Sequence, residues 1–156
     1  MHRPERRMTD EDTRALLKAE TYGVLSVTGE GGEPYGVPLN YVYSQDEEAL
    51  FFHCAPVGQK MDCILREPRV CFTVVGRADI DHKRLTTLYS SVIAQGRASV
   101  ITSENEKRLR LRQLCDALTP GEERVDKVIE AYLPKVAMIR VDITQISGKA
   151  NRGDGE

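Results

Sequence analysis

The chain has 156 residues, 40% of them hydrophobic, with 22 basic and 24 acidic side chains and a net charge of −2. A chain of this length is expected to form one domain that buries roughly 68 to 70% of its unfolded surface, and the balanced charge excludes the electrostatic footprint of a nucleic-acid or anionic-membrane binder. No apolar run approaches the roughly 20 residues that span a bilayer, and the first residues lack the apolar core of a signal peptide, so a cytoplasmic protein without a membrane partner is expected.

In chain order, residues 1–8 read as a basic surface arm. Thr9 with Asp12 three residues on forms a capping-box-like start, followed by Ala15, Leu16 and Ala19 at helical spacing, which predicts a first helix to about residue 20. A strand begins at Val24, turns at residues 29–32 where three glycines cluster, and returns over residues 35–43. In the return strand Val37, Leu39, Tyr41 and Tyr43 share one face and Pro38 lies on the other. Proline cannot donate a ladder hydrogen bond, so Pro38 predicts an edge, a bulge or a stretch of backbone that faces a ligand.

A third strand over residues 49–53 precedes a short helix from Lys60, stopped by Pro68, and a buried strand over residues 70–75. Residues 77–88 are polar and without a clean period, which predicts a loop able to cover a site. A fifth strand spans residues 90–101, with Gly96 permitting a bend or close approach of another group. Ser103 and Glu106 form a second capping box, opening a helix whose buried stripe holds Leu111, Leu114 and Leu118; a further helical pattern covers residues 122–132. The last strand, residues 136–147, alternates Ala137, Ile139, Val141 and Ile143 with Met138, Arg140, Asp142 and Thr144, which predicts one buried face, and a polar tail occupies residues 150–156. Six strands joined mainly by short turns predict a mainly β domain over residues 1–156: a six-stranded antiparallel split β-barrel with added helices.

The chemistry-bearing segment is residues 53–62, His-Cys-Ala-Pro-Val-Gly-Gln-Lys-Met-Asp, running from strand into helix. A helix start exposes unpaired N–H groups and the positive end of its dipole; Gly58 permits the sharp turn and Lys60 adds a full charge, so a phosphate is the expected guest. The Walker spacing is missing, which argues against a nucleoside triphosphate. Cys54, Cys63, Cys71 and Cys115 form no C-x-x-C pair, which predicts reduced thiols and no metal site. Tyr41, Tyr43 and Tyr89 read first as strand packing residues, with flanking of a ligand ring as the alternative.

Three segments taken in order carry a family resemblance: Gly36-Val37-Pro38-Leu39-Asn40-Tyr41, residues 53–62, and Tyr89-Ser90-Ser91-Val92-Ile93 with Gly96, supported by Glu106-Lys107 and Ser147-Gly148-Lys149. The chain resembles the pyridoxamine phosphate oxidase-like, FMN-binding split β-barrel family, closest to its nitroimidazole-resistance branch. The resemblance implies a homodimer with FMN at the subunit interface. It implies that Lys60 and the backbone of the loop from Ala55 to Lys60, with Gly58 at its turn, hold the phosphate, with His53 and Cys54 beside it. Backbone groups of Pro38, Leu39 and Asn40 would meet the ring edge, and Ser90, Ser91 and Val92 the ribityl chain or ring. The implied activity is FMN-dependent reduction of small nitroaromatic or quinone-like acceptors, with NADPH or NADH as electron donor and His53 as a candidate proton donor. The alternatives are a non-catalytic flavin-binding module and a haem-binding split barrel. The extra substrate-phosphate arginines and C-terminal segment of the vitamin-B6 oxidases have no match, so oxidation of pyridoxamine phosphate is not expected. Cys54 stands where a hydroxyl is common, and a thiol is the weaker donor.

Overall fold

The computed structural model describes residues 3–153. Helix α1 (Asp10–Ala19) starts where Thr9 Oγ1 accepts the N–H of Asp12 at 3.0 Å, as the capping box requires. Strands β1 (Tyr22–Thr28), β2 (Pro34–Asn40), β3 (Val42–Ser44) and β4 (Ala49–Cys54) follow, then helix α2 (Gln59–Arg66), strands β5 (Arg69–Asp81) and β6 (Thr86–Val100), helices α3 (Glu104–Leu118) and α4 (Val125–Tyr132), and strand β7 (Ala137–Asn151). All seven strands form one antiparallel sheet in the order β2-β1-β5-β6-β7-β4-β3.

The sheet's two edge strands, β2 and β3, are consecutive in sequence and separated only by Tyr41, so the chain itself bends from one edge to the other and rolls the sheet into a split barrel. Tyr41 is buried at this corner, where its N–H donates to Thr21 O at 3.3 Å and its hydroxyl to Leu17 O at 2.6 Å, while Asn40 Nδ2 also donates to Thr21 O at 3.0 Å. These contacts satisfy carbonyls at and just beyond the C-terminus of α1, which a helix cannot pair internally.

The barrel interior holds Leu25, Phe52, Phe72, Val74, Val92, Ile139 and Val141. Phe72 packs edge-on against Tyr41 and Phe52, with centroids 4.9 and 5.0 Å away. A second cluster lies outside the barrel, where Leu111, Val125, Ile129 and Leu133 cover Phe51 and Met138. The alternation of β4 and β7 thus separates two cores: Phe52 and Ile139 face inward, Phe51 and Met138 outward.

Three expectations are corrected. The expected six strands are seven, because the return strand of residues 35–43 breaks at Tyr41 into β2 and β3. Residues 77–88 are not a loop: β5 and β6 continue as a long hairpin turning at residues 82–85. Their two exposed faces removed the hydrophobic alternation by which a strand is read. The tail expected over residues 150–156 continues β7 through Asn151, which pairs with Tyr89 of β6, and the N-terminal arm pairs through Arg7 with Lys149; residues 154–156 and 1–2 lie outside the described residues. Gly96 sits at a register shift between β6 and β7, where a Cβ would strike Asp142 O and Val141.

Candidate functional site

The β4–α2 junction combines three features. Gly58 adopts φ 130°, a conformation that disfavours any side chain, and a Cβ placed there would meet nothing within 4 Å. No side chain caps α2, so its first-turn N–H groups stay available. Lys60, half-buried at that turn, forms no ion pair among the described residues. Uncapped donors beside an unpaired ammonium form the donor set an oxyanion requires, with Asp62 as the opposing acid in the same turn.

His53 is exposed on the outer side of β4; local desolvation first, then the charge of Lys60, pushes its pKa below the ordinary imidazole value. It is therefore neutral at pH 7 and suited to hydrogen bonding. Cys54 turns inward, with Sγ 3.6 Å from Met61 Sδ, and burial raises its thiol pKa. Any contact of Cys54 with an anion falls to its backbone N–H. Ala55 is exposed beside it.

Pro38 and Asn40 are exposed on the outer face of β2, an edge strand as the proline predicts, while Leu39 packs its side chain toward the barrel core. β2 also contacts β4, the strand that carries His53. The third segment, on β6, lies three strand spacings from β2, about 14 Å along the sheet, but two from β4, and β6 also contacts α2. On β6, Ser91 faces outward and Val92 is fully buried in the core, leaving only its backbone accessible. Ser90 Oγ accepts the N–H of Arg77 at 3.1 Å.

Between these places runs an exposed apolar strip. Pro38, Val24, Thr73 and Ile93 occupy neighbouring positions in successive strands, with Tyr22 and Val75 beside them on the same outer face. Tyr22, Val24, Val75 and Ile93 are 61%, 40%, 52% and 44% exposed. No periodicity argument singled out this strip, because its members are contributed by four strands.

The family signature described as pyridoxamine 5'-phosphate oxidase matches residues 9–150, nearly the whole chain. The chain belongs to the pyridoxamine 5'-phosphate oxidase family. Among solved structures of this fold, a candidate 5-nitroimidazole antibiotic resistance protein from Bacteroides thetaiotaomicron is 21% identical, with TM-score 0.78 over 92% of this chain and 85% of that one. The flavocytochrome Anf3 from Azotobacter vinelandii is 23% identical, with TM-score 0.78 over 93% of this chain and 68% of that one. The FAD and heme binding protein from Mycobacterium smegmatis is 17% identical, with TM-score 0.79 over 97% and 76%. At these identities the likeness is one of fold. No curated protein matches the chain.

The split barrel is the expected one for this oxidase family, with seven strands in place of six. Tyr41 and Tyr43 are buried packing residues. No helix is long and apolar enough to cross a membrane, and among the described residues no group of three or more His, Cys, Asp or Glu side chains could hold a metal ion.

Proposed function

We propose that this protein binds FMN as a homodimer, with the cofactor at the subunit interface, and acts as an FMN-dependent oxidoreductase towards small nitroaromatic or quinone-like acceptors, taking electrons from NADPH or NADH. The observation that carries the reading is the uncapped start of α2, with Gly58 leaving it open and Lys60 unpaired beside it. The residues present fit the cofactor's phosphate. The outer face next to Pro38 supplies apolar contact for a planar ring, and the exposed backbone of edge strand β2 supplies hydrogen-bonding groups. FMN when bound supplies the electron transfer, and the protein's task is binding, orientation and exclusion of water.

On this reading Lys60 and the N–H groups of residues 55–60 neutralise the phosphate. Asn40, Leu39 and Pro38 position the ring edge. Ser90, Ser91 and the Val92 backbone meet the ribityl chain or ring at the subunit interface. The lowered pKa of His53 disfavours its service as a stored proton and favours a neutral hydrogen-bonding role beside Lys60. Family members known by their names to bind flavins, including the FAD binding protein from Mycobacterium smegmatis, support the choice of a flavin.

The test is identification of the molecule that co-purifies, followed by anaerobic addition of NADPH or NADH and then a nitroaromatic. The expected result is a yellow dimer with one FMN per chain that bleaches with donor and recovers with acceptor. A yellow protein inert to both would be a flavin-binding module, a Soret band would indicate haem, and a colourless monomer that ignores added FMN would end the proposal.

A further inference from the structure

A second place on the molecule gathers positive charge that nothing in the described chain balances. Every described arginine forms an ion pair within 4.0 Å except Arg3, Arg6, Arg7 and Arg97. Three of those four line one cleft of about 430 Å³ between the N-terminal arm and the end of β7. Of its acids, Asp12 is engaged by Arg152 at 3.0 Å, which leaves Glu5 against three guanidinium groups. Concentrating like charge without a counter-ion opposes folding, so such a cluster calls for an anion.

The arm that carries these arginines is built into the fold. Arg7 bridges Lys149 in β7, and the N–H of Met8 donates to Gly148 O at 3.1 Å. A Cβ at Gly148 would collide with Thr13 and Met8, so glycine there lets the arm lie flat on the strand. The arginine cleft opens into a second hollow of about 420 Å³ that shares Met8, Ala150, Asn151 and Arg152 with it and is walled by Ala15, Leu16 and Ala19 of α1. Tyr89 lines this hollow, with Lys149 Nζ 5.8 Å from its ring. A cationic end joined to an apolar one fits a particular kind of molecule. Both hollows fall within the size range of small-ligand pockets.

We propose that this cleft binds a small organic anion, its carboxylate or phosphate held by Arg3, Arg6 and Arg7 and its apolar body lying against Met8, Leu16 and Ala19. Arginine forks match both oxyanions in bidentate geometry. The inference does not rest on the flavin assignment: Lys60 and α2 take no part in it, and of the residues assigned to the flavin only Ser90 borders the second hollow.

Calorimetric titration of the full-length protein, as purified, with phenyl phosphate, benzoate and inorganic phosphate tests it. The expected result is saturable binding of one aromatic anion per chain, with phenyl phosphate roughly tenfold or more tighter than inorganic phosphate because its ring is buried. Benzoate against phenyl phosphate tells which oxyanion the site prefers. The double variant Arg6→Gln, Arg7→Gln should weaken binding at least roughly tenfold, and Arg3→Gln on the exposed arm gives the same answer if the double variant fails to fold. Arg97→Gln should leave the affinity unchanged. A chain ending at Gly153 is titrated in parallel, so that competition from Asp154 and Glu156 is separated from absence of a site. As a second readout, the Tyr89 phenolate absorbance should titrate at higher pH when the anion neutralises Arg6. No saturable binding by either chain below about 1 mM, equal loss in Arg97→Gln, or anion binding that expels a bound flavin would overturn the proposal.

Discussion

Lys60 and Tyr41 show how much single side chains decide here. Lys60 is the one full positive charge at the start of α2, and hydrogen bonds to a charged group contribute about 1.5 to 3 kcal/mol. Lys60→Ala should therefore weaken FMN more than roughly tenfold, by fluorescence titration, with the melting temperature little changed; an unaltered affinity would remove Lys60 from the site. Tyr41 acts on folding. Its hydroxyl is the partner of the Leu17 carbonyl inside the barrel. Tyr41→Phe should destabilise by about 1 to 3 kcal/mol in urea unfolding, because a buried acceptor is left unpaired. Both residues were visible in the sequence, Lys60 by its place after Gly58 and Tyr41 by strand alternation. Tyr41's second role, holding the end of α1 at the barrel corner, was not visible, since its partner lies 24 residues upstream. Tyr89 is placed on its strand by the sequence, but its neighbour Arg6 is not placed beside it, for the same reason. Burial works to raise its phenol pKa, yet hydrogen bonding and charge from Lys149 and Arg6 outweigh it and the net direction is down.

Helix α3 is held to the barrel by an electrostatic clasp. Arg110, 6% exposed, lies 3.9 Å over the Phe51 ring and reaches Glu47 at 2.7 Å, while Arg140 holds the same carboxylate at 2.9 Å. Hydrogen bonding from Arg110 first, opposed by burial and helped by Arg140, lowers the Glu47 pKa from 4.5 to about 2. A depressed carboxylate pKa means stability that is fully present above pH 4.5 and lost as the pH falls through about 2. Glu47→Gln should cost towards the low end of about 1.5 to 3 kcal/mol, since Glu47 keeps 35% of its side-chain exposure. Its stability should also change less steeply with acid over that window, as seen in unfolding curves at successive pH values. An unchanged acid slope would show that the clasp forms elsewhere. The capping boxes that start α1 and α3 were legible because Thr9 and Ser103 act on residues three places away. The clasp joins the β3–β4 turn to α3 across 63 residues, and no local pattern encodes it.

At the scale of the whole molecule, the outer strip through Val24 and Ile93 is an apolar surface that the sheet leaves uncovered, and the proposed dimer would cover it. Ile93→Glu would place a charge in the centre of that surface. It should yield a monomer in analytical ultracentrifugation that has lost its flavin, while the isolated chain keeps its stability to within about 0.5 kcal/mol, as befits an exposed position. A flavin-loaded dimer carrying Glu at this position would place the interface on another face. The same experiment bears on Ser90, Ser91 and Val92, which adjoin Ile93 on β6 and are assigned to the flavin.

By itself the sequence determined the class of fold, the helix starts, the inward-facing residues of the barrel strands and the exclusion of Pro38 from a central strand, while the second buried face of β7 at Met138 was not legible. Each feature so determined follows from interactions between residues close in the chain, where steric limits and hydrogen-bonding periods act directly. Only the tertiary structure decided that residues 35–43 break at Tyr41, that residues 77–88 extend the sheet, and that the arm and the end of β7 pool their arginines in one cleft. Those outcomes depend on which strands pair and where the barrel closes. Such pairings are set by burial summed over the whole domain, and residues more than a hundred positions apart meet through them.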